Sequence, residues 1–498
     1  SIIRSTTYFI WWIFYFEGQN YWKLRVIHVS AFIICIFDFI NMSSHMYFLF
    51  SIHYITISSI FMLHMCYNID VKTMRDFKFH IGLNVRAYFS DKQKQIVRFN
   101  GGAANFVYNR LVAVNREKHQ LKKTAHLSPT DKKRLAYLDI AYQNTKYLRN
   151  AIPFLNDPKI DGYAIANAKQ DYQHAWNQFK KVKGTSIPTF HKRDNTYSYG
   201  TNCHYDNKAL SNPNTIGLFE GSVRFLDKTH IVLPILGTVR IKGSDKLLSN
   251  LLSRSDVTRI GTVRITLDNC DKGYLSISLS SDQQFHEYYK KTHKAVGIDM
   301  NLTNFLYDSD GLEVPTPKYL RKAEVKLKKQ QRKLSRKIEA AKKDKRDYSK
   351  CKNYNEQRLK LAKLHKHVAN QRLDFIRNVV NKEVKNHDYL FAEDLKTCNL
   401  IKNHMLAKTI SDSGWRMFLT ELQNTASKRG KTCLLVNPKN TTQTCSNCGY
   451  VCYGNTHITL GIEEWVCPNC GIHHIRDHNA AKNILAAGLA LLKESDVT

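Results

Sequence analysis

Four cysteines in the C-terminal part of the chain have the spacing of a metal site. They form two Cys-x-x-Cys pairs, Cys445/Cys448 and Cys467/Cys470, separated by eighteen residues. This spacing is typical of a zinc ribbon, in which four thiolates hold one structural Zn²⁺ in a tetrahedron. A stretch this short cannot bury a core of its own, so the metal ion would hold it together.

Glycines follow both cysteine pairs directly, at Gly449 and Gly471. We expect them to let backbone amides approach the thiolates without a clash from Cβ. Cys452, His473 and His474 are close by in sequence. Because four thiolates already close a tetrahedral site, we predict that these three residues are not ligands.

Three acids are candidate ligands for a different kind of metal ion. Asp299 ends the apolar run AVGID, Glu393 sits near the end of YLFAED, and Asp477 precedes the last helical segment. Carboxylates are the hard ligands that Mg²⁺ prefers, and two Mg²⁺ ions can cleave a phosphodiester together. Alone, each acid could equally be a helix cap, a turn former or a solvated side chain. Asp394 competes with Glu393 for the role.

The composition excludes some classes of protein and favours others. The 498 residues include 75 Lys and Arg against 42 Asp and Glu, a formal net charge of +33. The hydrophobic fraction of 43% excludes a wholly disordered or collagen-like chain, and the length predicts two to four domains. The excess of positive charge predicts a polyanionic partner, which is nucleic acid or an anionic membrane surface.

Residues 1–73 differ from everything that follows. They are apolar and aromatic, and the segment 44–67 is long enough to cross a membrane once. Two interpretations stay open, a membrane anchor and a stretch of read-through or remnant sequence with no function. We favour the second, and so expect no stable membrane association.

The patterns after residue 73 predict four further regions in an α+β multidomain chain. A strand segment over 74–95 is followed by a helical region over 96–200. Short alternating strands over 201–290 indicate a small β-barrel or sandwich. Strands then alternate with helices over 291–498, which predicts an α/β domain; it includes a basic helical hairpin at 318–385 and the ribbon at 442–474.

The helical hairpin concentrates positive charge. Lys318 to Arg346 holds fourteen basic and three acidic residues. A solvated helix face or a nuclear-targeting signal would explain it, but the self-repulsion favours contact with phosphates. Arg86 and Arg110 lie near the helical region and are further candidates for clamping nucleic acid. The hairpin candidates are Arg321, Lys322, Lys328, Lys329, Arg332 and Arg336.

Several segments in this order resemble the TnpB (OrfB) proteins of insertion-sequence transposons, and their Fanzor and type V CRISPR effector relatives. The likeness runs from about residue 74 to 490. Its most specific stretches are GIDMNLTNF (297–305), FAEDL (391–395), NPKNTTQTCSNCG (437–449), WVCPNCG (465–471) and RDHNAAKNIL (476–485).

The resemblance implies a RuvC-like nuclease domain of RNase H fold, with the zinc ribbon inserted in it. It further implies a β-barrel "wedge" domain interrupted by a helical recognition domain. The three metal-binding acids of the family fall on Asp299, Glu393 and Asp477. The implied activity is RNA-guided cleavage of double-stranded DNA, with two Mg²⁺ and one Zn²⁺ as cofactors. The chain would act at the nucleoid of a prokaryote or in the nucleus of a eukaryote.

The sequence departs from the family pattern at two positions. Asn301 stands where the family often has Gly, and Ile475 where it often has Asp; both flank catalytic acids without replacing them. Two other functions stay open from the sequence: a non-catalytic nucleic-acid-binding regulator of transposition, and a transposase that joins strands by itself.

Overall fold

The computed structural model describes residues 73–496 except 125, 143–144, 193, 207–216, 302, 396–403 and 460. These residues belong to a compact unit that runs from Lys72 to Thr498. The apolar segment 1–73, including the candidate span 44–67, lies outside the described residues apart from its last position. None of the helices within the described part of the chain is long and apolar enough to span a bilayer.

The first sheet has seven antiparallel strands and forms from two separated pieces of the chain. Strand β1 (Phe79–Tyr88) comes first, and the other six follow a helical insertion. They are β2 (Tyr197–Asn202), β3 (Arg224–Asp227), β4 (His230–Leu233), β5 (Gly237–Lys242), β6 (Thr258–Leu267) and β7 (Gly273–Ser281). Their order is β2-β6-β7-β1-β5-β4-β3, so the first strand lies at the centre.

This sheet curls, which brings the segments beside its two edge strands together. The Ser222 amide donates to the His204 carbonyl, and the His204 amide donates to Ser222 Oγ, both at 2.8 Å. One apolar core fills the concave side. Helices lie between β1 and β2 in the chain, and β2 begins at Tyr197, so the expected boundary at residue 200 falls inside this strand.

The insertion consists of helices α1 (Asp91–Lys123), α2 (Pro129–Ala141), α3 (Thr145–Ala151) and α4 (Gly162–Lys181). Ser90 caps α1 in a capping box: Ser90 Oγ accepts from the Gln93 amide, and the Gln93 side chain accepts from the Ser90 amide. A short helix α5 (Asp245–Leu252) lies later in the chain, between β5 and β6.

The second sheet is mixed and carries the acids. Its strands are β8 (Ala295–Asp299), β9 (Asn304–Asp308), β10 (Glu313–Pro315), β11 (Tyr389–Glu393) and β12 (Thr432–Val436). The order is β10-β9-β8-β11-β12, with β11 parallel to β8 and β12 and the pairs of β9 antiparallel. Because β8 and β11 are parallel neighbours, their C-terminal ends meet at one edge of the sheet.

Helices cover this sheet on both faces. The basic hairpin is α6 (Tyr319–Lys343) and α7 (Lys352–Asn386), followed by α8 (His404–Ser413) and α9 (Trp415–Lys428). Trp415, Phe418 and Leu422 of α9 pack with α7 on one face and belong to the core. Helix α10 (Arg476–Asp496) covers the other face, and a two-stranded ribbon of β13 (Glu464–Val466) and β14 (His473–Ile475) precedes it.

Candidate functional site

Alternation along the strands turns two of the acids toward α10. An added Cβ at Gly297 of β8 would overlap the backbone of Ala481 and Leu485, so Gly297 faces α10 closely. Phe391 of β11 likewise packs against Gly488 of α10. Since side chains two positions apart point to the same face, Asp299 and Glu393 point to α10 as well.

The N-terminus of α10 brings the third acid to the same place. The helix runs so that Gly488 lies over Phe391 and its first turn lies toward the C-terminal ends of the strands. That first turn carries Asp477. Asp299, Glu393 and Asp477, which are far apart in sequence, therefore lie at one edge of one sheet.

The three carboxylates interact electrostatically, and two of them are buried. Asp299 and Glu393 are each 6% exposed. Burial raises the pKa of Asp299 well above its usual range, and the charges of Glu393 and Asp477 raise it further. Burial also raises the pKa of Glu393, although a hydrogen bond from Thr441 opposes that rise. The charge of Arg476 opposes the rise in the pKa of Asp299 without reversing it.

Neighbouring side chains hold two of the acids in place. Thr441 Oγ1 donates to Glu393 Oε1 at 2.5 Å. Asn301 Nδ2 donates to one oxygen of Asp477, and Arg476 Nε donates to the other at 3.0 Å. Asn301 is therefore a partner of an acid, which its position beside Asp299 in the sequence did not indicate.

The four ribbon cysteines converge at a second centre. Their Sγ atoms all lie within 4.8 Å of one another, and two Sγ pairs are 3.6 and 3.7 Å apart. Among the described residues, these four cysteines are the group of three or more His, Cys, Asp or Glu side chains whose ligand atoms lie this close to one another. The cluster could bind one metal ion.

The two cysteine turns have the same backbone pattern. The Gly449 amide donates to the Cys445 carbonyl and the Gly471 amide to that of Cys467, both at 2.9 Å. Both glycines have positive φ, 75° and 69°. An added Cβ would meet nothing within 4 Å at either position. The expectation that these glycines prevent a clash from Cβ was therefore wrong. Glycine is needed at both positions because the backbone there is left-handed.

His474 lies closer to the cysteines than the sequence indicated. Its Nε2 is 3.0 Å from Cys445 Sγ, and its ring centroid is 4.8 Å from that of Trp465. Four thiolates leave no vacancy for it as a ligand, so its contact is with the sulfur. Cys452 is buried nearby, and His473 pairs with exposed Glu464 at 3.2 Å.

Helix α10 fastens the ribbon to the acid site. Asn479 accepts from the Ser446 amide and donates to the Thr444 carbonyl, both at 2.8 Å. Asn483 donates to the carbonyls of Thr441 and Thr444. Neither asparagine was predicted as a site residue, although their spacing of four places them on one helix face.

The predicted nucleic-acid contacts fall on several surfaces. Arg110 Nε donates to the Tyr142 hydroxyl at 3.2 Å, and Lys328 pairs with Glu324 at 2.8 Å. Arg321 donates to Thr409 from the start of α6. Arg86 packs over the Tyr274 ring of β7. All six hairpin candidates are exposed: Arg321, Lys322, Lys328, Lys329, Arg332 and Arg336.

Two family models match the C-terminal half of the chain. Residues 276–404 match the OrfB_IS605 family, described as "Probable transposase", and residues 415–484 match the "Cas12f1-like, TNB domain". The resemblance to the TnpB (OrfB) family is confirmed. The second model spans the cysteine pairs and Asp477, and the first spans Asp299 and Glu393.

Curated relatives agree with this TnpB-like character. A "Putative RNA-guided DNA endonuclease" of Streptomyces pristinaespiralis is 34% identical over 40% of this chain, and the match spans about half, 46%, of that relative. "Putative RNA-guided DNA endonuclease InsQ" of Escherichia coli (strain K12) is 26% identical over 85% of this chain and 94% of its own length. "TnpB-like protein L79" of Acanthamoeba polyphaga mimivirus is 31% identical over 26% of this chain.

Among solved structures, a chain of a Cas12f1-sgRNA-target DNA complex aligns with a TM-score of 0.41 at 12% identity. It covers 82% of this chain and 98% of its own. The mini-RNA-guided endonuclease CRISPR-Cas_phi3 aligns with the same TM-score at 13% identity, over 83% and 93% of the two chains.

Proposed function

We propose that this TnpB-like chain is an RNA-guided DNA endonuclease that hydrolyses phosphodiester bonds. Asp299, Glu393 and Asp477 are its catalytic acids, and guide RNA and double-stranded DNA are its partners. The observation that carries the proposal is the convergence of these three acids, from two parallel strands and one helix, at a single edge of the sheet where Asp299 and Glu393 are buried. The second sheet with its helices is then the RuvC-like, RNase H-like domain, and the curled sheet is the wedge.

The acid site suits divalent cations of the Mg²⁺ kind. Its donors are carboxylate oxygens, and the raised pKa of Asp299 reflects burial together with two neighbouring negative charges. Arg476 Nε pairs with Asp477 Oδ1 at 3.0 Å. Two Mg²⁺ ions bound by the three acids would supply an activated water on one side of the phosphorus and stabilise the leaving oxygen on the other.

The chain's own residues prepare this chemistry by fixing oxygens in place. Thr441 occupies one oxygen of Glu393, so the other oxygen is left for a ligand. Asn301 and Arg476 fix the two oxygens of Asp477 at the first turn of α10. The partial positive charge of that helix N-terminus also stabilises the ionised carboxylates.

The ribbon cysteines suit one structural Zn²⁺. Tetrahedral thiolates at Zn–S distances near 2.3 Å have sulfurs about 3.8 Å apart. The Cys448–Cys467 and Cys445–Cys470 sulfur separations of 3.6 and 3.7 Å are close to that value. Metal analysis of the purified chain should find one zinc per chain, and none after Cys445 and Cys467 are both changed to Ser.

The neighbouring acids Glu393 and Asp394 allow a matched test of catalysis. Glu393 is buried toward α10, whereas Asp394 is exposed at the next position. Glu393→Gln keeps the size and the Thr441 contact but removes the charge. We expect it to abolish guided DNA cleavage while RNA binding persists, and Asp394→Asn to cleave like the parent chain. The measurement is cleavage of a matched plasmid by the chain bound to its co-purified RNA, which sequencing identifies.

The same reaction separates the proposal from the two other functions. Cleavage that survives Glu393→Gln would remove the metal assignment, whereas a parent chain that binds RNA and DNA but does not cleave would be a nucleic-acid-binding regulator. Joined strands among the products, instead of free ends, would indicate a transposase. Cleavage that does not depend on the sequence of the bound RNA would refute RNA guidance.

A further inference from the structure

Strands β9 and β10 extend the face of the sheet that carries the acids. Tyr307 of β9 lies directly opposite Asp299 of β8, and Glu313 of β10 lies directly opposite Tyr307. Directly opposed residues of antiparallel strands point to the same face, with their Cβ atoms about 4.5–5.5 Å apart. Asp308, one position later, lines the cavity on the other face with Glu383 of α7. Tyr307 and Glu313 therefore lie on the α10 side of the sheet, as Asp299 does.

Asn304 holds the hydroxyl group of Tyr307 in place. Asn304 Nδ2 donates to the Tyr307 hydroxyl at 2.8 Å and to Glu313 Oε1 at 2.6 Å. The Tyr307 oxygen thus accepts one hydrogen bond, and its own hydrogen is left to donate. In the chain alone, the carboxylate of Glu313 is the acceptor for it. Tyr307 is half-buried and Glu313 is exposed, so this group lies at the rim of the acid site and not in a core.

The surroundings keep the Tyr307 hydroxyl protonated. Burial raises the pKa of Tyr307, and the negative charges of Glu313 and Asp477 raise it further, although the hydrogen bond from Asn304 opposes the rise. Near neutral pH the phenol is therefore an uncharged hydrogen-bond donor beside ionisable acids. The influence of Asp477 also shows that Tyr307 lies near the first turn of α10.

A phosphodiester in this site needs donors, because the acids offer it only acceptor oxygens when they are ionised. Two nearby donors, Asn301 and Arg476, are bonded to Asp477. Negative charge that develops on the oxygens around the phosphorus is stabilised best by a donor that is already fixed in position. Tyr307 is such a donor, since Asn304 fixes its oxygen beside Asp299.

We propose that Tyr307 donates a hydrogen bond to a non-bridging oxygen of the phosphate that is cleaved. Asn304 positions the hydroxyl for this contact. When DNA arrives, rotation of the hydroxyl turns its hydrogen from Glu313 to the phosphate while the ring stays in place. The inference rests on the proposed function and adds to it a residue that contacts the substrate.

A conservative pair of variants tests the role of the hydroxyl. Tyr307→Phe removes the hydroxyl and keeps the ring. Tyr389→Phe is the matched control, because half-buried Tyr389 lies on the same face at the start of β11, about 13 Å along the strand from Glu393. The assay is single-turnover cleavage of a matched DNA duplex in Mg²⁺, with the chain in excess and bound to its co-purified RNA.

The expected effect is on the rate and not on binding. Tyr307→Phe should lower the rate at saturating chain concentration roughly ten- to a hundredfold, because it loses a donor to a charged oxygen. The concentration that gives half the maximal rate should stay the same. Tyr389→Phe should cleave like the parent chain.

Sulfur substitution in the DNA tests the contact itself. Phosphorothioate DNA at the mapped cleavage position, as separate Rp and Sp isomers, replaces one non-bridging oxygen with sulfur, a weak acceptor. For one isomer, the slowing caused by sulfur should be roughly tenfold smaller in Tyr307→Phe than in the parent chain or Tyr389→Phe, because the variant has no contact left to lose. A purely structural role of Tyr307 would slow oxygen and sulfur substrates by the same factor.

The outcomes separate this inference from the assignment of the acids. Equal rates for Tyr307→Phe and the parent chain overturn it, and so does a slower Tyr307→Phe whose loss is the same on both isomers as on unmodified DNA. If the parent chain cleaves and Glu393→Gln does not, the acids stand whatever Tyr307→Phe does. A parent chain that does not cleave overturns both proposals.

Discussion

Glu393 and Asp394 are adjacent acids whose surroundings give them different properties. The last position of β11 turns Glu393 toward α10, where burial raises its pKa. Asp394 comes one residue later and lies exposed, with its amide bonded to the Val436 carbonyl. A shift of one residue in a strand reverses the face. The role of an acid in this site therefore depends on its strand position more than on its residue type.

His387 provides a residue-scale prediction about pH. It ends α7, 6% exposed, with Nδ1 3.4 Å from Glu383 Oε2 and Nε2 3.2 Å from Asp310. Burial alone would lower the pKa of His387, but Glu383 and Asp310 together raise it. Buried Asp308 adds negative charge nearby, and Lys294, Lys382 and Lys385 line the same cavity.

A raised folded-state pKa means that the stabilisation is complete below the unfolded value near 6.5 and is lost as pH rises through the folded value. His387→Gln should therefore lower the free energy of unfolding more at pH 6 than at pH 9. Chemical denaturation at both pH values measures this difference, with Asp310→Asn giving a smaller loss of the same sign. An equal loss at the two pH values would show that His387 contributes only by packing.

At the scale of elements, the contact between α10 and the sheet depends on glycines. Gly297 and Gly488 remove side chains where the helix backbone meets β8 and where Phe391 of β11 meets the helix. Close approach then places the first turn of α10 over the strand ends. The site geometry is thus a consequence of helix–sheet packing.

Gly297→Ala tests that dependence. The added methyl would overlap the backbone of Ala481 and Leu485, so α10 must move away from the sheet. We expect a loss of about 1–3 kcal/mol in the free energy of unfolding and a large loss of cleavage. Gly102→Ala is the control, because nothing lies within 4 Å of its Cβ position in α1 and alanine favours a helix. Normal cleavage by Gly297→Ala would mean that the helix position is not critical.

At the scale of the whole described unit, a short anchored segment is one of the connections between the two largest cores. One core fills the curled sheet and the other lies beneath the mixed sheet. Between them, the amides of Thr292 and His293 donate to Asp388 at 2.8–3.0 Å. Lys431 pairs with Asp388 and donates to the Lys290 carbonyl at 2.7 Å. Burial would raise the pKa of Asp388, but these donors hold it well below its usual range.

Lys431→Met should loosen this anchor and destabilise the chain. Lys431 is almost fully buried, so its loss leaves the Asp388 charge without a partner, at a cost of about 3–5 kcal/mol. Denaturation should then separate into two transitions, one for each core. Asp388→Asn added to Lys431→Met should recover part of the loss, whereas exposed Lys428→Met should change little. A single unshifted transition in Lys431→Met would show that the anchor is dispensable.

The sequence by itself determined the features that depend on local spacing. The cysteine pairs, the basic hairpin and the strand ending at Asp299 each occupy a short stretch whose residue types decide the outcome. The family resemblance also named the three acids, since their flanking motifs are local. These predictions did not require knowing which helices and strands pack together.

Tertiary structure alone decided how those pieces meet. The parallel pairing of β8 with β11, the direction of α10 and the close approach at Gly297 bring together acids that are 94 and 84 residues apart along the chain. The same is true of Thr441, Asn301 and Asn479, whose partners lie on other elements. Long-range packing sets these contacts. The local sequence around a side chain does not indicate a partner that is distant along the chain and comes near only on folding.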